Sequence, residues 1–123
     1  MEKDPLTERV IGCAIEIHRA LGPGLLESTY QQCLIHEVKL NGIPFQPEKP
    51  IPVEYKGIRL DCGYRIDALV DGSLILELKS VDEIAPIHKA QLLTYMKLSG
   101  IHTGLLINFN VRRLIDGIER FKL

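Results

Sequence analysis

A chain of 123 residues, 46% hydrophobic and 25% charged, matches one globular domain with a single core, and no apolar run in it reaches membrane-spanning length. A net charge of −1 excludes a globally basic binder of nucleic acid or anionic membrane, so any nucleic-acid surface must be local. Cys13, Cys33 and Cys62 lack C-x-x-C spacing and His18, His36, His88 and His102 lack zinc-ligand spacing, which argues against a disulfide framework or a zinc site. Met1-Glu2-Lys3-Asp4 has no signal-peptide character, so a cytoplasmic protein without a membrane partner is expected.

Asp4-Pro5 predicts a helix start, with an N-cap carboxylate and proline in the first position. Leu6, Val10, Cys13, Ala14, Ile17 and Leu21 follow at helical spacing, and Gly22-Pro23-Gly24 ends the helix. A second helix is expected from near Leu25, carrying Leu26, Tyr30, Cys33, Leu34 and Val38, until Asn41-Gly42 stops it. Pro44 to Pro52 reads as a proline-punctuated connection. Ile51 to Tyr55 and Ile58 to Cys62 read as short strands around Lys56-Gly57, with Pro52 marking an edge.

The stretch from Tyr64 to Lys79 holds two apolar-rich runs around Asp71-Gly72-Ser73, a β-hairpin pattern. Side-chain alternation puts Ile75, Glu77 and Lys79 on one face and Leu74, Leu76 and Leu78 on the other. In the first run Arg65, Asp67 and Leu69 share a face, opposite Tyr64, Ile66, Ala68 and Val70. A two-residue turn would set Asp67 across from Leu76, whereas a three-residue loop pairs Val70 with Leu74 and sets Asp67 across from Glu77. Only the longer loop keeps both apolar rows on one face, with Gly72 or Ser73 absorbing the unusual backbone angles.

Two carboxylates directly opposite one another have Cβ atoms roughly 4.5–5.5 Å apart and repel. A divalent cation neutralises such a pair, because Mg²⁺ is held by one or two carboxylates plus waters and phosphate oxygens. Lys79, two residues beyond Glu77 on the same face, could position an attacking water. On the strand pattern alone, Arg65, Asp67, Glu77 and Lys79 better suit a solvated sheet face with diagonal salt bridges.

Ala85-Pro86 opens a third helix, running to about Leu98 and closed by Ser99-Gly100. His88, Gln91 and Tyr95 form a polar stripe on it. Thr103 to Phe109 reads as a strand buried on both faces, and Gly117 to Leu123 as a last edge strand. The expected order is ααβββ(β)αβ(β), an α/β sandwich with helices covering a mixed sheet. Glu27 falls in the first turn of the second helix, where a carboxylate complements the helix dipole whatever else it does.

Gly24-Leu25-Leu26-Glu27-Ser28-Thr29-Tyr30 resembles the G-x-x-E-x-x-Y signature of a small bacterial and archaeal family known by that motif. The resemblance continues through Ile66-Asp67-Ala68, Glu77-Leu78-Lys79, Gln91 to Tyr95 and Leu105 to Phe109, nearly the whole chain. That family looks like a branch of the PD-(D/E)XK nuclease superfamily. The resemblance therefore implies a single restriction-endonuclease-like domain over residues 1–123, with an αβββαβ core and an extra N-terminal helix. By the same resemblance Asp67 is the first motif carboxylate, with Ile66 in place of proline, and Glu77 and Lys79 are the E-x-K pair. Glu27 looks like an added helical metal-site glutamate, and Gln91 and Tyr95 look like a Q-x-x-x-Y helix.

The expected activity is metal-dependent hydrolysis of nucleic-acid phosphodiesters, with DNA the favoured substrate. Asp67, Glu77, the Leu78 carbonyl and Glu27 would bind Mg²⁺ or Mn²⁺. Lys79 would orient the attacking water and Gln91 would place the phosphate, with Lys89, Lys97, Arg112 and Arg113 as further phosphate contacts. Two other readings stay open. One is a non-catalytic scaffold binding nucleic acid or protein, with a homodimer as one arrangement open to it. The other is a phosphoesterase acting on a small ligand in a closed pocket.

Overall fold

The computed structural model describes residues 4–123; Met1-Glu2-Lys3, read above as lacking signal-peptide character, lies outside them. Two helices come first, α1 (Pro5–Leu21) and α2 (Glu27–Leu40). Then follow β1 (Phe45–Pro50), β2 (Val53–Tyr55), β3 (Ile58–Leu60), β4 (Arg65–Val70), β5 (Leu74–Lys79), α3 (Pro86–Ser99), β6 (Thr103–Asn108) and β7 (Ile118–Lys122). Five strands form a mixed sheet in the order β1-β4-β5-β6-β7, and β2 and β3 make a separate two-stranded ribbon. Only β5 and β6 are parallel, joined through α3. This is the expected α/β sandwich, with helices on both faces of a mixed sheet.

Local chemistry accounts for most boundaries. The Asp4 carboxylate accepts hydrogen bonds from the Leu6 N–H (3.1 Å) and the Thr7 hydroxyl (2.9 Å), capping α1 as the Asp-Pro start implies. At the end of α3, Gly100 takes a left-handed conformation (φ 72°) that ends the helix as a C-cap. Leu21 and Leu26, counted in the apolar stripes, are exposed because they flank the Gly22-Pro23-Gly24 turn beyond the packed helix faces.

Two cores lie on opposite faces of the sheet. Val10, Ala14, Tyr30 and Leu34 of α1 and α2 cover Val70, Leu74, Leu76, Leu78, Leu105 and Ile107. On the other face Leu92, Tyr95 and Met96 of α3 cover Ile66, Leu69, Ile75 and Leu106. Gly104 on β6 is what lets α3 settle there. A Cβ at that position would sit 2.7 Å from Met96 Sδ and 3.0 Å from Leu92 Cδ1.

Four expectations need correction. The stretch after Pro44 is not a plain connection: Phe45–Pro50 is β1, antiparallel to β4. An edge strand tolerates Pro47 and Pro50 because half of its N–H groups face away from the sheet. The ribbon strands are shorter than read, Pro52 falling before β2 and Asp61-Cys62 after β3. In the β4–β5 turn, Val70 does pair with Leu74, but Asp71 (φ 50°) and Gly72 (φ 66°) take the left-handed angles, not Ser73. Aspartate accepts that conformation more readily than most residues. Finally, Ile66 packs under α3 with Leu69, while Ala68 and Val70 face α1 and α2, so the alternation expected along β4 breaks at Asp67.

Gly104→Ala should lower unfolding free energy by about 1–3 kcal/mol through overpacking against α3. Urea denaturation followed by circular dichroism measures it; an unchanged midpoint would mean that α3 is not held at this contact.

Candidate active site

At one level across β1, β4 and β5 the ladder gives way to side-chain chemistry. Pro47 pairs with Ala68 and Lys49 with Ile66, but between them Glu48 adopts φ 50°. On the other side of β4 the pairing with β5 stops at Ala68 and Leu76. Here Asp67 and Glu77 face each other as the register demands, and their carboxylates take over the backbone bonds. The Asp67 N–H donates to Glu77 Oε1 (3.1 Å), and the Leu78 N–H donates to Asp67 Oδ2 (2.7 Å). Each carboxylate is thus fastened to the opposite strand.

Burial and repulsion raise both acids. Glu77 is buried and is pushed up to about 8, first by desolvation and then by the Asp67 charge, against a lowering pull from the Asp67 N–H and Lys79. Asp67 is raised mainly by desolvation, while the Leu78 N–H and Lys79 oppose it and Glu48 adds to it. Glu27 is raised by desolvation and by Asp67, with Lys79 pulling it down. The Lys79 cation thus acts on all three carboxylates. Tyr95 is buried in α3, and its hydroxyl is raised by desolvation and by Glu77, Tyr64 and Asp67, with the Gln91 amide opposing. Tyr64, exposed on the rim, lies with its ring 6.3 Å from that of Tyr95.

The turn before α2 delivers Glu27, and Tyr30 holds that turn. The buried Tyr30 ring stacks on Phe109 at 4.4 Å, while its hydroxyl donates to the Gly22 carbonyl (2.6 Å) and accepts from the Leu25 N–H (3.2 Å). Ser80, just past β5, donates to the Leu25 carbonyl (2.6 Å) and ties the turn to the strand end. Gln31, one helical turn after Glu27, donates to the Asp67 carbonyl (3.3 Å). Asn108, buried at the end of β6, donates to the Val81 carbonyl (2.9 Å) and accepts from the Val81 N–H (3.1 Å), fixing the chain beyond Lys79.

Glu27, Asp67, Glu77, Lys79 and Tyr95, singled out from the sequence, therefore act on one another near the end of β5, and Gln91 is tied to the group through its bond to Tyr95. Ligand sites favour the carboxyl ends of parallel strands. Leu78 enters through its N–H, with its side chain in the core. His88 does not join them: its Nδ1 accepts from the Ala85 N–H (3.0 Å) and caps α3. Lys89 is held by Glu119 at 3.0 Å. Gln31, Glu48, Tyr64 and Asn108 were missed; only Gln31 carried a signal, its spacing of four from Glu27.

The donors are all oxygen, which suits Mg²⁺ or Mn²⁺. Among the described residues no three Asp, Glu, His or Cys side chains cluster tightly enough to cage a metal on their own. The fit is to a site of two carboxylates completed by water and phosphate, the usual manner for Mg²⁺. Beside Asp67 a narrow apolar crevice of about 10 Å³ runs between α2 and the sheet, lined mainly by Leu34, Ile35, Val38, Phe45, Val70 and Leu76; it belongs to the core and not to the carboxylate site.

A family model of the PD-(D/E)XK nuclease superfamily matches residues 4–121, and the chain belongs to that superfamily. No curated protein and no solved structure matches the chain. Membership points to nuclease activity on nucleic acid, in a superfamily that generally uses Mg²⁺ or Mn²⁺. No helix among the described residues is long and apolar enough to cross a membrane.

Glu77 carries its proton in the folded state up to about 8, whereas an unfolded glutamate loses it near 4.5. Its stabilising contribution is full below the lower value and is lost as pH rises through the higher one. In EDTA, wild type should lose on the order of 3–5 kcal/mol between those limits, and Glu77→Gln should lose far less, so that the variant is the more stable form at alkaline pH. Urea titrations across that range decide it; parallel wild-type and variant profiles would contradict the raised acid. Tyr30→Phe keeps the stack on Phe109 but removes two hydrogen bonds, and should cost about 1–2 kcal/mol in the same assay.

Proposed function

We propose that this protein is a metal-dependent nuclease that hydrolyses phosphodiester bonds, with DNA as substrate, and that it represents the GxxExxY branch of its superfamily. One observation carries the reading: Asp67 and Glu77, desolvated and mutually repelling, are each fastened by a backbone N–H of the opposite strand where the β4–β5 ladder stops. A sheet gains nothing from that pairing. It is the kind of local strain that collects at functional sites. The Tyr30 latch gives the branch signature a physical meaning, since Gly24, Glu27 and Tyr30 together build the turn that presents Glu27.

In this reading Asp67, Glu77 and the Leu78 carbonyl hold Mg²⁺ or Mn²⁺, and Glu27 contributes through water. The bound ion supplies positive charge at the phosphate and acidifies a water. Glu77 would have to be deprotonated to hold the ion, because only the carboxylate is a ligand. Lys79 orients the attacking water, and Gln91, exposed at the rim, positions a phosphate oxygen. Tyr95 packs its ring under the sheet and keeps Gln91 at the mouth of the site.

Single-stranded, duplex, flapped and branched DNA and RNA should be tested for Mn²⁺-dependent cleavage. Glu77→Ala and Lys79→Ala should each reduce the rate at least a hundredfold, in the range expected for removing a group that acts on the transition state. Calorimetry in buffers of different ionisation enthalpy should show protons released on Mn²⁺ binding at pH 7, because Glu77 is raised to about 8, and that release should vanish in Glu77→Gln. Wild type that takes up no ion and cleaves nothing would leave only the scaffold reading.

A further inference from the structure

The β2–β3 ribbon stands apart from the main sheet, and its pairing sorts its side chains cleanly. Val53 lies opposite Leu60, Tyr55 opposite Ile58, and Glu54 opposite Arg59. Opposed residues share a face and alternate residues return to it. Val53, Tyr55, Ile58 and Leu60 therefore form one apolar face, while Glu54 and Arg59 form an ion pair at 3.7 Å on the other. The apolar face is open: Tyr55 is 59% exposed, Ile58 53% and Leu60 42%. A two-stranded ribbon is marginal in water on its own, and an open apolar face on it marks a docking surface.

Its position and charge indicate the occupant. The Ile51 N–H donates to the Tyr64 carbonyl (2.8 Å) and closes the base of the ribbon, and Tyr64 leads directly onto Tyr95 beside Glu77. From residue 49 to 65 the cations Lys49, Lys56, Arg59 and Arg65 outnumber Glu54 and Asp61, in a chain of net charge −1. The Lys56 ammonium lies 5.4 Å from the centre of the Tyr55 ring. Exposed aromatic rings interleaved with cations suit bases that stack and phosphates that follow them. A stable dimer is a poor match: three side chains about half exposed, with Val53 more covered, offer roughly 300 Å², well under half of what each partner of a standard interface buries.

We propose that the apolar face of the β2–β3 ribbon receives unpaired bases, so that the substrate class is single-stranded nucleic acid or a single-strand extension leading to Glu77. The substrate assignment rests on the nuclease reading above; the ribbon's ligand does not. A base inside a duplex hides both faces in its own stack, and only an unpaired one can lie against Tyr55 or Tyr64.

Fluorescence anisotropy in Ca²⁺ buffer, with a labelled oligothymidine and a duplex of equal length, tests this directly. Wild type should prefer the single strand at least tenfold, and Tyr55→Ser/Ile58→Ser should lose at least tenfold in single-strand affinity, about the worth of one stacked base. Tyr55→Phe, which keeps the ring, should retain binding. Melting curves establish that both variants fold. Equal affinity for duplex and single strand, an unaffected double variant, or a wild-type dimer that the double variant converts to monomer in sedimentation would overturn the proposal. Mn²⁺ cleavage scored alongside separates the two readings. Equal cleavage of both substrates, unchanged in the double variant, would sink the ribbon and spare the nuclease. Ring-dependent single-strand binding without any cleavage would do the reverse.

Discussion

Repulsion between Asp67 and Glu77, held together at low dielectric, is the constraint from which the local structure follows. A carboxylate removed from water needs donors, and at this level of the sheet backbone N–H groups of the facing strand supply them. Using them ends the β4–β5 ladder at Ala68, turns Ile66 toward α3 while Ala68 faces α1 and α2, and coincides with the left-handed Glu48 on β1. The sheet gives up regular pairing to keep two acids in place. What it gains is a pair of acids with raised proton affinity beside a lysine, at an end where the strands have begun to part.

The rest of the molecule supplies the surroundings from two sides. On one face Tyr30, stacked on Phe109 and bonded to the Gly22–Leu25 turn, sets the start of α2, so that Glu27 and Gln31 approach Asp67 from above. On the other, α3 lies close over β6 because Gly104 has no side chain, and that brings Tyr95 against Glu77. Asn108 and Ser80 pin the chain leaving β5, so Lys79 is held at a fixed strand end. Few of these supports are acidic or basic. They are hydrogen bonds and contacts that fix where the charged groups stand.

Much of this was legible in the residue order, and the reasons differ by element. The β4–β5 register could be read because a slip of one residue would have mixed apolar and charged rows, and that logic put Asp67 opposite Glu77 before any coordinates. Helix ends were readable from Asp4-Pro5, Ala85-Pro86 and Gly100, where cap chemistry is local. What stayed hidden depended on distant partners. Phe45–Pro50 becomes a strand only because β4 offers it an edge, and nothing within Pro47-Glu48-Lys49-Pro50 says so. His88 looked like part of a functional stripe, yet it serves the N-terminus of its own helix. The break at Asp67 was invisible because alternation assumes backbone partners, and here side chains replaced them.

The order in which the layers meet has a consequence for biosynthesis. Helices α1 and α2 leave the ribosome first, but the surface they cover is made of Leu74 to Leu78 together with Leu105, Ile107 and Phe109, which follow much later. A growing chain therefore carries two amphipathic helices, packed on one another, whose sheet surface is complete only when β6 has emerged. The turn that presents Glu27 is latched by Phe109 at the far end of that strand. The acidic cluster is accordingly among the last features to be assembled.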